Sequence, residues 1–466
     1  MRPRLPKFFL PRRSTAALAV TAASVLFLTG CVTGGADDNA EAAVASADGE
    51  LVELTEDDQV DIVFESYNLD GQGQWGEAIL GLIDSFNEAH PNITVTGQGV
   101  DSAQSASSVQ QQVLAGDPPD IGQMVFNTMS FSAGSLGGAN LSEVVGTEKL
   151  EEHFGGEYPF HERAKVLADL DGSTYGIPYV FSTPVLWINE SLLEEAGVDP
   201  ASMDTSSWDS VSEIAEQVTD HTGEPSVANP CVLNGGRGQW CMQSMFLSNG
   251  ARVLSEDRST IEFGSDAAVD TVQVFKTMYE DGILTNEDEM SQNEAFGRGD
   301  QYAFLVTSSA MQSTFMQGAD TNDWTLNADV LPQFEDQPAV PTNSGSALVM
   351  FSQDPKKQAA AWEFMKWMTS PEAYEQIATG IGYLPLRSSM TEEGGPLYDF
   401  VQENPLVEPN LEQLDNLSPW VSYPGDQYAR VDEILATAIE DSVFQGADPA
   451  QRMPEAAARS QDLIEE

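Results

Sequence analysis

Positive charge is what this 466-residue chain has least of: 20 Lys and Arg stand against 74 Asp and Glu, for a formal net charge of −54. So acidic a surface repels nucleic-acid backbones and anionic headgroups, which excludes both as partners of the general surface. The plainest use of the charge is solubility, in surroundings salty enough to screen long-range repulsion. Histidine and cysteine are also scarce, at four and three. His161-Glu162 lacks the second His of a zinc-protease helix. No Gly-x-Ser-x-Gly elbow occurs. Carboxylates are so numerous that a glycosidase pair can be drawn anywhere, so drawing one carries no weight. Heptads and tandem repeats are missing too. Nothing positive points to an enzyme, a cofactor or a metal.

What is present begins with a leader. Arg2, Arg4, Lys7, Arg12 and Arg13 precede an apolar run from Ala16 to Leu28, too short to span a bilayer as a mature helix. Leu28-Thr29-Gly30-Cys31 then resembles a bacterial lipobox, in which the cysteine is acylated and becomes the first residue. Residues 1–30 are read as a lipoprotein signal peptide and 31–59, rich in Gly, Ala, Asp and Glu, as a flexible tether. Losing the leader takes the net charge to −59. The protein is expected outside the cytoplasmic membrane, lipid-anchored through Cys31, with Arg12-Arg13 leaving the export route open. In an oxidising compartment Cys231 and Cys241, ten positions apart with no His nearby, are most simply a disulfide.

The rest is long enough for two domains. Val60–Tyr67, Ile93–Thr96 and 120–126 read as strands, with helices between them at about 75–89 and 106–115. This order indicates an α/β layer with a parallel sheet. Strands at 185–189 and 302–307, and helices at 190–196, 208–219 and 268–279, repeat the grammar. A long helix reads at 356–369, and large helices at 427–444 and 450–464 suggest a helical layer late in the chain. Gly71-x-Gly73-x-x-Gly76 fits a dinucleotide fingerprint, but it starts too far from its strand and lies outside the cell. A ligand-facing loop at a helix N-terminus suits it better. Asp169-Leu170-Asp171-Gly172 lacks the spaced ligands of a calcium loop and reads as a tight turn.

Several blocks, in order, resemble the extracellular solute-binding proteins of ABC importers. They are Phe86-Asn87-Glu88-Ala89-His90-Pro91, Leu114-Ala115-Gly116-Asp117-Pro118-Pro119-Asp120, Tyr175-Gly176-Ile177-Pro178, Phe296-Gly297-Arg298-Gly299-Asp300, Ser344-Gly345-Ser346-Ala347 and Gly382-Tyr383-Leu384-Pro385. Within the family, the glycerol-3-phosphate and glycerophosphodiester binders are most similar, through Ser182-Thr183-Pro184-Val185-Leu186 and Gln239-Trp240-Cys241-Met242-Gln243. The resemblance implies a two-lobed α/β fold of the type II periplasmic-binding-protein kind, with the ligand cleft between lobes. It places the N-lobe at 60–179 and 307–351 and the C-lobe at 180–306 and 352–466. It also puts Trp240 against the ligand, Ser308 in a serine loop, Gly345 with its backbone to the ligand, Tyr383 as a ligand tyrosine and Arg430 as a phosphate clamp. Met124-Val125-Phe126-Asn127 departs from the pattern by lacking an acid, which leaves the non-phosphate half of the ligand open.

Read from the residues alone, Arg430 serves equally as a surface ion pair or a bidentate clamp. Ser182 and Ser308 serve as donors or helix caps. Tyr179 lies near a strand end; Trp420 and Tyr423, between Pro419 and Pro424, suit a cleft, whereas Trp187 alternates in a strand and suits a core. The expectation is a monomeric binding protein, not an enzyme, that needs no cofactor. It delivers glycerol-3-phosphate or a glycerophosphodiester, or alternatively a neutral sugar, to a permease. A surface hydrolase and an adhesive lipoprotein are the rival classes.

Overall fold

The computed structural model describes residues 51–70, 74–234, 239–335 and 337–465. Cys31, the Gly71–Gly73 stretch and the 235–238 stretch beside Trp240 lie outside the described residues.

Eleven short strands are described: β1 (Val60–Ser66), β2 (Ile93–Gly99), β3 (Ile121–Val125), β4 (Asp169–Leu170), β5 (Ser173–Thr174), β6 (Ile177–Ser182), β7 (Pro184–Asn189), β8 (Val227–Ala228), β9 (Phe304–Ser308), β10 (Leu326–Asp329) and β11 (Ser344–Met350). They form two principal sheets, one in the order β2-β1-β3-β11-β6 and one in the order β10-β7-β9-β8. The expected strand–helix alternation holds for β1 to β3, which run parallel. The first sheet as a whole is mixed, because β11 enters antiparallel to both β3 and β6. β4 and β5 make a separate hairpin. Its turn residues Asp171 and Gly172 both have positive φ (51° and 78°), which accounts for the short Asp-Gly motif.

Helices cover the first sheet, one by an apolar stripe and one buried over most of its surface. In Gln74–Ala89 the residues Ile79, Leu82, Ile83 and Phe86 are buried. Helix Pro355–Met368 brings Phe364 against Phe64 and Phe86, with ring centroids 5.3 and 5.1 Å apart. Each such buried ring contributes roughly 1.5–3 kcal/mol. Trp367 Nε1 donates to the Leu82 carbonyl at 3.1 Å, satisfying the one polar atom of the indole. Helices Tyr428–Phe444 and Pro449–Ile464 form the expected late helical layer and pack on helix Asp266–Glu280, with Tyr279 edge-on to Phe444 at 4.9 Å. Trp187 is buried in a satellite core with Phe315 and Phe296, as its strand alternation predicts.

The packing moves three expected boundaries. Thr183 is the one residue between β6 of the first sheet and β7 of the second, so the first crossing falls at 183 and not at 180. The return does not begin at 307, because β9 and β10 both pair with β7; the first later residues to join the first sheet are Ser344–Met350. Nor does the chain leave the first lobe at 352, since helix Pro355–Met368 packs on β1 and on helix Gln74–Ala89. The tether also ends earlier than expected. Leu51 and Leu54 pack against the core, and Asp58 pairs with Lys356 at 2.6 Å. The Lys356 hydrogen bond, more than any other contact, holds the Asp58 carboxyl down at about 2.

One buried guanidinium fixes the loop that carries Tyr383. Arg387 donates from Nε to Thr369 O (3.0 Å), from Nη1 to Gly155 O (3.1 Å) and Tyr158 O (2.6 Å), and from Nη2 to His153 O (2.8 Å). Its Cζ sits 4.4 Å from the centre of the Phe160 ring. Burial, with Arg387 and Lys366 nearby, holds the His153 imidazole near 3, so it stays neutral.

Candidate functional site

The site grows from the place where the chain crosses between sheets. Ser182 ends β6, Ser308 ends β9, and Ser308 Oγ donates to Ser182 Oγ at 2.7 Å. Across β11, Ser344 is paired with Ser182 and Gly345 with Phe181. The structure therefore brings three expected site residues, Ser182, Ser308 and Gly345, into one patch. Gly345 has φ +112°, and a Cβ there would collide with the Val180 carbonyl. Close approach of two backbones thus requires glycine at 345, a reason independent of any ligand.

Tyr179 occupies a register shift. Ser346 faces Val180 while Ala347 faces Pro178, so Tyr179 is the extra residue of a bulge, a device that re-aims a side chain. The ring is fully buried and its hydroxyl has no hydrogen-bond partner among the described residues. Burial, then the neighbouring Tyr374, Tyr67 and Tyr383, push its ionisation well above 10. Tyr383 itself is tilted against Trp75, centroids 5.5 Å apart.

A buried polar network joins the ends of β1 and β3. Gln123 Nε2 donates to Asn68 Oδ1 (2.6 Å) and to Ser346 Oγ (2.9 Å), Tyr67 OH donates to Ser346 Oγ (3.1 Å), and Ser66 donates to Gln123. These are the carboxyl ends of parallel strands, where open α/β sheets bind ligands.

Around Trp420 lies a second set, absent from the sequence expectations except for Trp420 and Tyr423. Asn343 Oδ1 accepts from Trp420 N at 2.9 Å, and Gln243 Oε1 accepts from Val421 N at 3.0 Å. Trp240 is held alongside, since Thr342 Oγ1 donates to its carbonyl. Its neighbour Cys241 forms the expected disulfide with Cys231 (S–S 2.05 Å, Cα–Cα 5.5 Å). Five buried polar atoms in this region lack a partner among the described residues: Asn343 Nδ2, Gln243 Nε2, Trp420 Nε1, Tyr423 OH and Asp432 Oδ1. Burying a polar atom unpaired costs about 1–3 kcal/mol, so a cluster of them marks a surface built for something else to satisfy. Gln243 lies one helical turn past Trp240, and Asn343 lies two residues before Gly345. Gln243 sits inside a recognisable block and Asn343 just before one, but amides carry no sequence signal of their own.

Direct bonds cross the seam here. Asn127 Nδ2 donates to Asp432 Oδ2 at 3.1 Å, and Ser130 N donates to Ser422 Oγ at 3.0 Å. Arg258 Nη2 donates to Ser130 Oγ at 2.6 Å and to the Ser422 carbonyl. Arg430 is not brought into the set. Its side chain is 48% exposed and pairs with Glu433 one turn on. A surface depression of about 630 Å³ lies elsewhere, over the helices of the first sheet, lined by His90, Lys149, His153, Trp362 and Lys366 among others. None of the five unpaired atoms lines it.

With this geometry in hand, residues 81–409 match the model of the bacterial extracellular solute-binding protein family. The chain belongs to that family. It is a two-lobed binding protein and not an enzyme. Among curated relatives, the sn-glycerol-3-phosphate-binding periplasmic protein UgpB of Pectobacterium atrosepticum is 23% identical over 84% of this chain and 89% of its own length. Among solved structures, the cyclic α-maltosyl-1,6-maltose binding protein of Arthrobacter globiformis superposes with TM-score 0.72 at 18% identity, covering 87% of this chain and 99% of that one. UgpB of Mycobacterium tuberculosis, in complex with glycerophosphocholine, gives 0.72 at 19% identity, covering 87% and 98%. At such identities the structures establish the fold alone. Among the described residues, no helix is long and apolar enough to cross a membrane.

Proposed function

We propose that this chain is the lipid-anchored, monomeric substrate-binding component of an ABC importer, tethered through Cys31. It captures an uncharged, polyhydroxylated solute, a sugar or oligosaccharide, in the seam between its lobes and hands it unaltered to a membrane permease. The first lobe comprises about 60–182 with 344–381, and the second is built on 184–329 with the last two helices. The observation that carries the reading is the cluster of buried, unpaired amide, indole and phenol groups at Gln243, Asn343, Trp420 and Tyr423. Hydroxyl groups both donate and accept, and so satisfy amides and phenols without a counter-charge. Indole and phenol rings supply flat apolar faces for a sugar. Trp240, Tyr179 and Tyr383 extend that lining, and Ser182, Ser308 and the Gly345 backbone close its floor.

The second reading, glycerol-3-phosphate or a glycerophosphodiester, is favoured by the named ligands of the two UgpB relatives and by Arg258 at the seam. On it, Arg430 would have to leave Glu433 to reach a phosphate. Calorimetric titration with maltose, trehalose, glycerol-3-phosphate and glycerophosphocholine separates the two. Micromolar binding of a sugar, about 8 kcal/mol, supports the first; binding of the phosphate compounds alone replaces it with the second. Replacing Cys31 by Ala should release the protein from membranes into the medium, and retention would count against the anchor.

A further inference from the structure

The least expected group at the seam is an acid. Asp432, on helix Tyr428–Phe444, is 9% exposed. Its Oδ2 accepts from Asn127 Nδ2 at 3.1 Å, and its Oδ1 has no hydrogen-bond partner among the described residues. Asn127 follows the carboxyl end of β3, so the carboxylate faces the end of the first sheet where a solute would lie. Tyr423, whose hydroxyl is also unpaired, is close enough for Asp432 to raise its ionisation after burial has done most of the work. Tyr428 responds in the same order of causes. The arginines of the region are engaged elsewhere: Arg258 with Ser130 and Ser422, Arg430 with Glu433.

We infer that Asp432 is the specificity-determining residue of this site: Oδ1 accepts a hydroxyl of an uncharged polyol, and the same carboxylate rejects phosphate esters. The inference rests on the sugar-binding reading above and deepens it. The donor inventory supports it. Asn343 Nδ2, Gln243 Nε2 and Trp420 Nε1 can only donate, Asp432 Oδ1 accepts, and Tyr423 OH does either. A ligand that completes all five must both accept and donate. A sugar hydroxyl does so, whereas an ionised phosphate group has oxygens that only accept, so a phosphate ester could meet Oδ1 only through its remaining hydroxyls. Charge acts in the same direction. An anion a few ångströms from an uncompensated carboxylate, at an effective dielectric constant near 20, loses on the order of 100-fold in affinity. Burial also lifts the Asp432 carboxyl to about 7, with one neutral partner and no cation against it, so the full repulsion of an anion applies above that pH, where the carboxylate predominates.

The test is calorimetry on the purified protein and on Asp432→Asn, with Asp432→Ala as a second variant and thermal unfolding as the check that each folds. Maltose and trehalose serve as uncharged probes, glycerol-3-phosphate and glycerophosphocholine as phosphate probes. The expected result is a 10- to 100-fold loss of sugar affinity in both variants, with a gain of at least 10-fold for glycerol-3-phosphate in Asp432→Asn. Wild-type protein that binds a sugar, with folded variants that bind it equally well, overturns the role of Asp432 and leaves the function standing. Wild-type protein that binds glycerol-3-phosphate in preference to both sugars overturns both.

Discussion

Ser308 donates its hydroxyl to Ser182 at 2.7 Å, tying the end of β9 to the end of β6 and so the second sheet to the first. Ser308 also caps its own short turn by accepting from Ala310 N at 3.1 Å. Ser308→Ala removes both contacts and leaves Ser182 unoriented. A loss of about 1–2 kcal/mol in stability is expected, with solute affinity falling several-fold. Urea midpoints and calorimetry check the two effects; an unchanged affinity would mean that Ser182 does not need its partner to meet the solute.

Arg387 predicts a large effect far from any ligand. Its N–H groups satisfy four carbonyls and its face covers Phe160. Lysine keeps the charge but not the planar fork. Arg387→Lys should cost roughly 2–4 kcal/mol, as expected when buried acceptors lose their donors. Equal unfolding midpoints for variant and wild type would refute this account of the loop.

Gly345 has positive φ beside the Val180 backbone. Gly345→Ala therefore forces β11 away from β6, at a cost on the order of 1–3 kcal/mol or more, and disrupts the patch that holds Ser182. A variant as stable as wild type, with full binding, would show that the strands can separate without penalty.

Asp432 gives stability a pH slope of known sign. Its carboxyl is raised by burial from 3.8 to about 7, with the Asn127 bond opposing. A raised acid binds its proton in the native state where the unfolded chain has released it. Its contribution is therefore complete below about 4 and lost as pH rises through about 7. Between pH 5 and 8 the wild type should lose on the order of 1–3 kcal/mol more than Asp432→Asn, at about 1.4 kcal/mol per pH unit. Parallel denaturation curves for the two proteins would contradict the burial.

The Cys231–Cys241 disulfide joins the turn Pro230–Val232 to helix Gln239–Ser248, which begins beside Trp240. Closing so short a loop restricts the unfolded chain by about 2–3 kcal/mol. Reduction should lower stability by that amount and shift Trp240 fluorescence, and an unchanged emission spectrum would argue that the indole is held by other contacts.

Local pattern carried most of the first lobe. The apolar spacing of Ile79, Leu82, Ile83 and Phe86, the His90-Pro91 stop and the strands around Phe64 and Met124 were all legible, because each depends on neighbours a few residues away. β11 was not. Its place between β3 and β6 is set by pairing with residues more than 160 positions distant, and Ser344-Gly345-Ser346-Ala347 has no strand signal. The same holds for the boundaries near 307 and 352, where each segment stays with its spatial partner and not with its sequence neighbours. In the site, serines, a glycine and aromatics could be found as members of family blocks. Asn343, Gln243 and Asp432 could not be singled out, because an amide or one carboxylate among 74 acids becomes notable only when burial leaves it unpaired.

Thr183 alone separates the two sheets at the first crossing, and its hydroxyl meets Asn410 and Gln413 from a third segment. So short a link suits a swing of one lobe on the other rather than a slide, as a book opens on its spine. Displacement is then small beside Ser182 and Ser308, and opening must break the direct bonds from Ser135 to Asp426 and from Asn127 to Asp432. Those bonds then contribute to the threshold that a solute must see lowered before it can enter.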